Sequence, residues 1–342
     1  MNRLSVSAAA IMLATAAFAE DAGPYKVLKT AKVGGAGGFD YVNADEGGRK
    51  LYIARSGEAP RIAVFDLDTL APTGEIPGVS AHGVAISRKS NHGFTSSKPA
   101  VMFDATTLEK LKTIDVDGRP DGLLYDAFND RVYVFSRAAP NATVINASDG
   151  SIAGTIDLGG APEQAASDGQ GRVYVAIEDK DNIAVVDAAT LKVTARYELA
   201  GKGGACAGLA LDVKNGLLFA ACRAPQNMVV LRAKNGKILA ALPIGHGTDG
   251  AAFNPKTREA FSSQGDGSLT IVKEDGRGAF SVEQTVQTMT GAKTMALDAG
   301  TNRVFVIGAE YEQAPAQQAP TPGGRIARKM VPDSFSIVVV GK

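Results

Sequence analysis

Charged and polar side chains occupy five of seven equivalent places along this chain, each at the start of a short apolar segment. Carboxylates together with an imidazole are ligands for divalent cations, and carboxylates beside a lysine can hold cationic or hydroxyl-rich molecules. If the fold brings these places together, the sequence predicts a ligand site there, with His82, Asp121 and Glu163 as metal ligands. The seven places are occupied by Phe39, His82, Asp121, Glu163, Ala207, Asp249 and Lys293.

A second polar set lies in the loops that follow the next apolar segment of each repeat. Four of its seven members are basic, and the forked guanidinium of arginine offers paired donors to an anionic group. We therefore predict that the arginines of this set join the same ligand site. The alternative is a set of solvated loop charges, because exposed ion pairs contribute little. The members are Arg55, Lys98, Arg137, Glu178, Arg223, Gln264 and Glu310.

The chain has two cysteines, Cys206 and Cys222. They flank a predicted hairpin whose turn lies near Asn215, and the register of that hairpin places them opposite each other. Such a pair forms a disulfide in an oxidising compartment, and we predict one here. The alternative is two free thiols, because a one-residue slip in register would turn them to opposite faces.

A short segment with a central aromatic residue recurs seven times, at intervals of 39 to 45 residues. Each copy contains two β-branched segments separated by a polar loop, with a further segment before and after them, which predicts four short strands. No stretch shows a helical period of useful length. The aromatic centres are Tyr52, Phe94, Tyr133, Tyr174, Phe219, Phe261 and Phe305.

Seven sets of four antiparallel strands predict an all-β, seven-bladed β-propeller. A lone four-stranded sheet cannot bury both faces, whereas sheets stacked around an axis can. A β-sandwich needs only about seven to nine strands, and an open solenoid needs polar caps. The last repeat supplies only three strands, so we expect an N-terminal strand within residues 25–33 to complete the last blade and hide two sheet edges.

In such a ring, the starts of the inner strands and the loops after the second strands lie on one face. Both polar sets would then meet at the mouth of the central channel. His82, Asp121 and Glu163 come from consecutive blades, and Asp249 would lie near Lys293. The alternative is that these groups only line a water-filled channel and pair with one another, because water satisfies exposed polar groups at little cost.

Residues 1–19 have the pattern of a secretory signal peptide. A positive start at Arg3 precedes an apolar run of 14 residues, and a small-x-small cleavage pattern ends at Ala19. The run is shorter than the ~20 residues that cross a bilayer, although an uncleaved membrane anchor is the alternative. We predict cleavage near Ala19, a periplasmic or secreted location, and one propeller domain over residues 20–342 with no transmembrane segment.

The repeats include the segments Tyr52-Ile53-Ala54, Val132-Tyr133-Val134 and Val173-Tyr174-Val175, with Val-x-Asp-x-x-Thr turns at 64–69 and 185–190. Across the whole predicted mature chain they resemble YVTN-repeat propellers, in particular the secreted bacterial YncE-like proteins. The resemblance implies a propeller fold and a binding or scaffold role. The Asn that follows the Tyr-Val pair in that family is missing, since Arg55, Ile177 and Cys222 stand there instead.

Charge and motifs narrow the classes of function. Lys plus Arg and Asp plus Glu both number 36, so no net charge attracts nucleic acid and we expect no such partner. The sequence has no haem-attachment motif, phosphate loop, zincin helix or Gly-x-Ser-x-Gly elbow. We predict a monomeric binding or scaffold module for a small molecule or protein. The alternative is a metal-assisted, lactonase-like hydrolase, and a divalent metal ion is the one cofactor suggested.

One loop of the predicted last blade is anomalous. Residues 309–334 contain four prolines and several glutamines and alanines, and loops longer than ~12–15 residues are usually functional or disordered. The segment emerges on the mouth face, so we predict a lid or a partner-docking arm. An extended surface loop is the alternative.

Overall fold

The computed structural model describes residues 23–139, 141–276, 278–312 and 329–342. The predicted signal peptide and most of the predicted arm at 309–334 lie outside these residues. The described chain has 28 β-strands and a single turn of 3-10 helix at Glu178–Lys180. Within it, no helix has the length and apolarity needed to cross a bilayer.

The strands form seven separate four-stranded antiparallel sheets, which confirms the predicted all-β, seven-bladed propeller. We number the blades 1 to 7 in the chain order of their inner strands. The inner strands are β2 (Phe39–Asp45), β6 (Ala81–Ser87), β10 (Pro120–Asp126), β14 (Pro162–Ser167), β18 (Cys206–Asp212), β22 (Thr248–Asn254) and β26 (Thr294–Asp298). The second strands are β3 (Lys50–Arg55), β7 (His92–Ser97), β11 (Arg131–Ser136), β15 (Arg172–Ile177), β19 (Leu217–Cys222), β23 (Glu259–Gln264) and β27 (Arg303–Gly308).

The two outer layers complete each blade. The third strands are β4 (Arg61–Asp66), β8 (Ala100–Asp104), β12 (Asn141–Asn146), β16 (Asn182–Asp187), β20 (Asn227–Arg232), β24 (Ser268–Glu274) and β28 (Ser336–Gly341). The outermost strands are β5 (Pro72–Pro77), β9 (Lys110–Ile114), β13 (Ile152–Asp157), β17 (Lys192–Glu198), β21 (Ile238–Pro243), β25 (Phe280–Gln287) and β1 (Lys26–Lys32).

The ring closes through the N-terminal strand, as the sequence predicts. Strand β1 pairs antiparallel with β28, from Lys26 opposite Gly341 to Lys32 opposite Ser336. Each inner strand packs against the inner strands of both neighbouring blades, and β26 packs against β2. Because the outermost strand of blade 7 comes from the other end of the chain, the two termini hold the ring together.

The core lies between the blades. Buried side chains form seven hydrophobic clusters, one at each interface between adjacent blades. Between blades 7 and 1, for example, Leu51 and Phe65 pack with Phe305 and Phe335. Burying apolar surface is worth roughly 25 cal/mol per Å², so these clusters hold neighbouring blades together in the closed ring.

The recurrent tyrosine of the second strand also links neighbouring blades. The Tyr52 hydroxyl donates to the Ala105 carbonyl across 3.3 Å, and the Tyr174 hydroxyl donates to the Ala233 carbonyl across 3.1 Å. Both carbonyls lie in the turn between the third and fourth strands of the next blade. In these two blades the repeat buries an aromatic ring while its hydroxyl meets a polar partner, whereas the hydroxyl of the equivalent Tyr133 is buried without one among the residues that the structure describes.

The segment before β1 is held by a cluster that we call the Tyr25 clasp. Tyr25 is buried; its amide donates to Gln284 of blade 6, and the Gln284 side chain donates back to the Tyr25 carbonyl. The Tyr25 hydroxyl donates to Glu259, which also accepts a hydrogen bond from Lys342 at 2.7 Å. The Lys342 ammonium lies 4.8 Å from the centre of the Tyr25 ring. The clasp thus joins blades 6 and 7 to both ends of the described chain.

Candidate functional site at the channel mouth

A β-bulge near the start of six of the seven inner strands decides which side chains reach the mouth. In β2 the pairing skips from Phe39 opposite Arg55 to Val42 opposite Ile53. An extra residue at this place turns the local side chains. Aligned on the bulge, Asp40 is the blade 1 counterpart of His82, whereas the sequence alignment had placed Phe39 there. Phe39 instead packs against Phe335, with ring centres 4.9 Å apart.

The mouth holds a charged cavity of about 360 Å³. We call it the mouth cavity. Ten of its eleven lining residues are acidic, basic or histidine side chains, and the eleventh is Tyr41. All seven blades contribute to the lining. The lining residues are Asp40, Tyr41, His82, Arg119, Asp121, Arg137, Glu163, Glu178, Arg223, Asp249 and Lys293.

Two side chains cross the channel next to the mouth cavity. Tyr41 and Gln164 stand where four other blades have glycine. The Tyr41 hydroxyl lies 3.3 Å from Glu163. The Gln164 side chain accepts hydrogen bonds from the amides of Leu209 and Ala251, both at 2.9 Å, so it reaches from blade 4 to blades 5 and 6. These side chains narrow the channel beneath the charged groups.

In one arc of the mouth cavity, acidic and basic side chains pair with one another. Arg137 donates to both Glu163 and Glu178, and Arg223 donates to both Glu178 and Asp249. The second oxygen of Asp249 accepts from Lys293, as expected from their predicted proximity. These contacts run without interruption from blade 3 to blade 7. We call this set the matched arc, made of Arg137, Glu163, Glu178, Arg223, Asp249 and Lys293.

The remaining arc consists of Asp40, His82 and Asp121, which we call the triad. The His82 Nδ1 lies 2.6 Å from an Asp40 oxygen and 3.7 Å from an Asp121 oxygen. One ligand atom from each residue lies within 4.8 Å of the others. The Asp121 carboxylate also faces the Arg137 Nε at 3.8 Å. The sequence missed Asp40, although the Asp-Tyr pair in blade 1 matches the polar-Gly pairs of the other blades.

The pKa values of the triad reflect this setting. The hydrogen bond with Asp40 is the main cause of a raised pKa for His82, and the charge of Asp121 adds to it. Burial raises the pKa of the Asp121 carboxyl. Burial likewise raises the pKa of the adjacent Tyr41 hydroxyl well above its usual range. The triad therefore favours a neutral or cationic partner over another negative charge.

Arg55 does not reach the mouth cavity. It is 1% exposed, and its guanidinium donates to the five carbonyls of the loop 34–38 at 2.9 to 3.3 Å while stacking on the Phe335 ring. Burial lowers the pKa of Arg55 to about 10. Its donors are used by backbone that leads directly into β2, so Arg55 holds the start of the strand that carries Asp40.

The other members of the second polar set divide in the same way. Arg137, Glu178 and Arg223 line the mouth cavity. Lys98 instead donates to the Gly118 carbonyl, Gln264 is buried within blade 6, and Glu310 pairs with Lys32. Loop position alone thus does not decide which charges meet at the channel.

The predicted disulfide between Cys206 and Cys222 is confirmed. Cys206 directly precedes Ala207, and Cys222 directly precedes Arg223, so the bond lies at the mouth end of blade 5. The two residues are register partners across β18 and β19. The bond therefore fixes the hairpin from which Arg223 enters the matched arc.

The described part of segment 309–334 forms a narrow antiparallel base. Tyr311 and Met330 form a bridge, and Glu312 pairs with Lys329 at 3.2 Å. Val331 also donates to the Glu310 carbonyl. The predicted arm itself, residues 313–328, lies outside the described residues.

Comparison with known proteins supports the fold. No family model and no curated protein matches the chain. A chain in a solved structure entitled "Crystal Structure of Mitotic Checkpoint Complex" is similar over 90% of this chain and 95% of its own length, with a TM-score of 0.69 and 12% identity. At this identity the similarity shows the propeller fold alone, because unrelated functions share such folds.

Proposed function

We propose that this protein is a secreted or periplasmic propeller that binds a small molecule or a protein partner at its channel mouth. The observation that carries the proposal is the mouth cavity, in which charged groups from separate blades converge above Tyr41 and Gln164. Concave sites with a few convergent polar groups are the usual form of ligand sites. His82, Asp121, Glu163, Asp249, Lys293, Arg137 and Arg223 are its proposed ligand-binding residues.

Two observations support the secreted location. The N-terminal pattern is that of a signal peptide ending near Ala19, and the Cys206–Cys222 bond suits an oxidising compartment. The YVTN-repeat relationship is likewise our proposal, supported by the repeated tyrosine and its contact with the next blade. N-terminal sequencing of protein from the cell envelope tests the cleavage, and an intact Leu4–Ala17 run would contradict it.

Native mass spectrometry with metal analysis, on protein purified from its own periplasm, tests the binding role. We expect a ligand, metal or partner to be retained by the wild type and lost from His82→Ala and Asp121→Ala, with little change in melting temperature. Lys98→Ala is the control, because Lys98 belongs to the second polar set but lies outside the mouth cavity. Retention in both mouth variants would remove the proposal.

A metal-assisted hydrolase of the lactonase type is the second candidate, favoured by the triad. A catalytic metal needs protein ligands on one side and an open position for water or substrate on the other. The triad provides ligands on the wall of an open cavity. Turnover of a lactone panel that needs added metal would support this candidate, whereas metal binding without turnover would leave the binding role.

A further inference from the structure

We propose that Asp40, His82 and Asp121 form a binding site for a divalent transition-metal ion, and that Glu163 is not one of its ligands. This assignment deepens the proposed mouth site and rests on it. It replaces the set expected from sequence, in which Glu163 stood in the place of Asp40. The three residues come from blades 1, 2 and 3, which are consecutive around the ring.

The geometry of the donors fits a single ion. One atom from each side chain lies within 4.8 Å of the other two, and all three residues are half-buried. Ligands about 2.1 Å from a zinc ion lie roughly 3 to 3.5 Å from one another. The present separations of 2.6 Å and 3.7 Å from His82 Nδ1 bracket that range. To bind one ion, the Asp40 and His82 donors would move slightly apart and the Asp121 donor would approach them.

Asp121 supplies the independent argument. Its side chain is 15% exposed, yet it accepts no hydrogen bond from any residue that the structure describes, since its two ion-pair contacts are 3.7 Å and 3.8 Å long. Asp121 is thus paired more loosely than the carboxylates of the matched arc, each of which contacts a basic side chain directly. A cation seated between Asp121 and Asp40 would add the close opposite charge that Asp121 lacks, whereas an anionic ligand would repel both carboxylates.

The carboxylates of the matched arc already accept hydrogen bonds from basic side chains. Both oxygens of Glu178 accept from arginines, and both oxygens of Asp249 accept from Arg223 and Lys293. Glu163 accepts from Arg137 and faces the Tyr41 hydroxyl, and it is 3% exposed. A metal could bind Glu163 only after breaking its contact with Arg137. Among the mouth carboxylates, only Asp40 and Asp121 accept no hydrogen bond from an arginine or lysine side chain that the structure describes.

The donor set indicates the class of metal. Calcium and magnesium prefer all-oxygen sites, whereas an imidazole with carboxylates suits zinc, manganese, iron or cobalt. The mouth cavity adjoins the triad, so water or a ligand atom can complete the coordination. Arg119 lines the same cavity, and its side chain has no ion pair with any residue the structure describes. It could therefore meet an anionic group bound to the metal.

The test is calorimetric titration of chelator-stripped, full-length mature protein with Zn²⁺, and separately with Ca²⁺. We expect one Zn²⁺ per chain and weaker Ca²⁺ binding. Asp40→Asn, His82→Gln and Asp121→Asn should each weaken Zn²⁺ binding by at least about 10-fold. Glu310→Gln is the matched control, because it removes a carboxylate of the second polar set that pairs with Lys32 outside the mouth cavity, and it should change affinity less than about 3-fold. Thermal melting without metal checks that each variant is folded.

Two results would overturn the assignment. Loss of Zn²⁺ binding in Glu163→Gln together with unchanged binding in Asp40→Asn would restore the set expected from sequence. Absence of Zn²⁺ binding in the wild type would remove the metal site altogether. In that case a ligand that stays on chelator-treated protein from the periplasm would still support the mouth as a binding site, so the two proposals can fail separately.

Discussion

The Tyr25 clasp and the triad both bury a carboxylate among ionisable neighbours, but they treat it in opposite ways. Burial alone would raise the pKa of the Glu259 carboxyl in the clasp, yet hydrogen bonds from Lys342 and Tyr25 outweigh burial and lower it to about 2. Burial also raises the pKa of the Asp121 carboxyl in the triad, and the charges of His82 and Arg137 offset this only in part. The clasp stabilises the fold, whereas the triad retains a carboxylate charge that is only partly neutralised and can bind a cationic ligand.

The largest expected effect breaks the clasp and its strand together. Deleting residues 25–33 removes β1 and Tyr25, exposes the edge of β28, and opens the interface between blades 6 and 7. We expect the melting temperature to fall by roughly 10 °C or more, measured by circular dichroism. Lys32→Ala, an exposed change in the same strand, is the control. Unchanged melting of the deletion variant would contradict closure by β1.

Removing only the clasp carboxylate should destabilise the fold less than deleting the strand. Glu259→Gln should lower the free energy of unfolding at pH 7 by about 2–3 kcal/mol, because Lys342 and Tyr25 lose their charged acceptor. The pKa of Glu259 is lower in the folded chain than its usual 4.5. Its contribution is therefore complete above pH 4.5 and is lost as the pH falls toward 2. Denaturant titrations from pH 7 to 2.5 should converge for the variant and the wild type at the acid end.

A smaller loss is expected from the clasp hydroxyl. Tyr25→Phe keeps the buried ring but removes the donor to Glu259, so we expect a loss of about 1–2 kcal/mol in urea unfolding. Tyr311→Phe is the matched control, because Tyr311 is 40% exposed. Equal effects of the two changes would show that the Tyr25 hydroxyl adds nothing to ring closure.

The smallest effect should have the opposite sign. The pKa of Asp121 is higher in the folded chain than in the unfolded chain, so the ionised carboxylate disfavours folding at neutral pH and ceases to do so below about pH 3.8. With chelator present, Asp121→Asn should raise the free energy of unfolding at pH 7 by up to about 1 kcal/mol. A marked loss of stability in that variant would place Asp121 with Glu259 as a structural carboxylate.

Particular residues show how far the sequence leads toward the site. His82, Asp121, Asp249 and Lys293 could be placed at the mouth because each repeat begins its inner strand in the same way. Asp40 could not, because the glycine that follows this place in four other blades is Tyr41 in blade 1, so the sequence aligned Phe39 there instead. Arg55 occupies a loop position similar to that of Arg137. It does not reach the mouth because its guanidinium binds the carbonyls of loop 34–38, a contact that the sequence does not reveal.

The sequence by itself determined the number of blades, the four strands of each, the closing role of β1 and the disulfide, because these follow from a repeated pattern of strand period and turn residues. The tertiary structure decided which charges neutralise one another at the mouth and which do not. Side chains from different blades meet there at the axis, and no local sequence pattern records the distances between them.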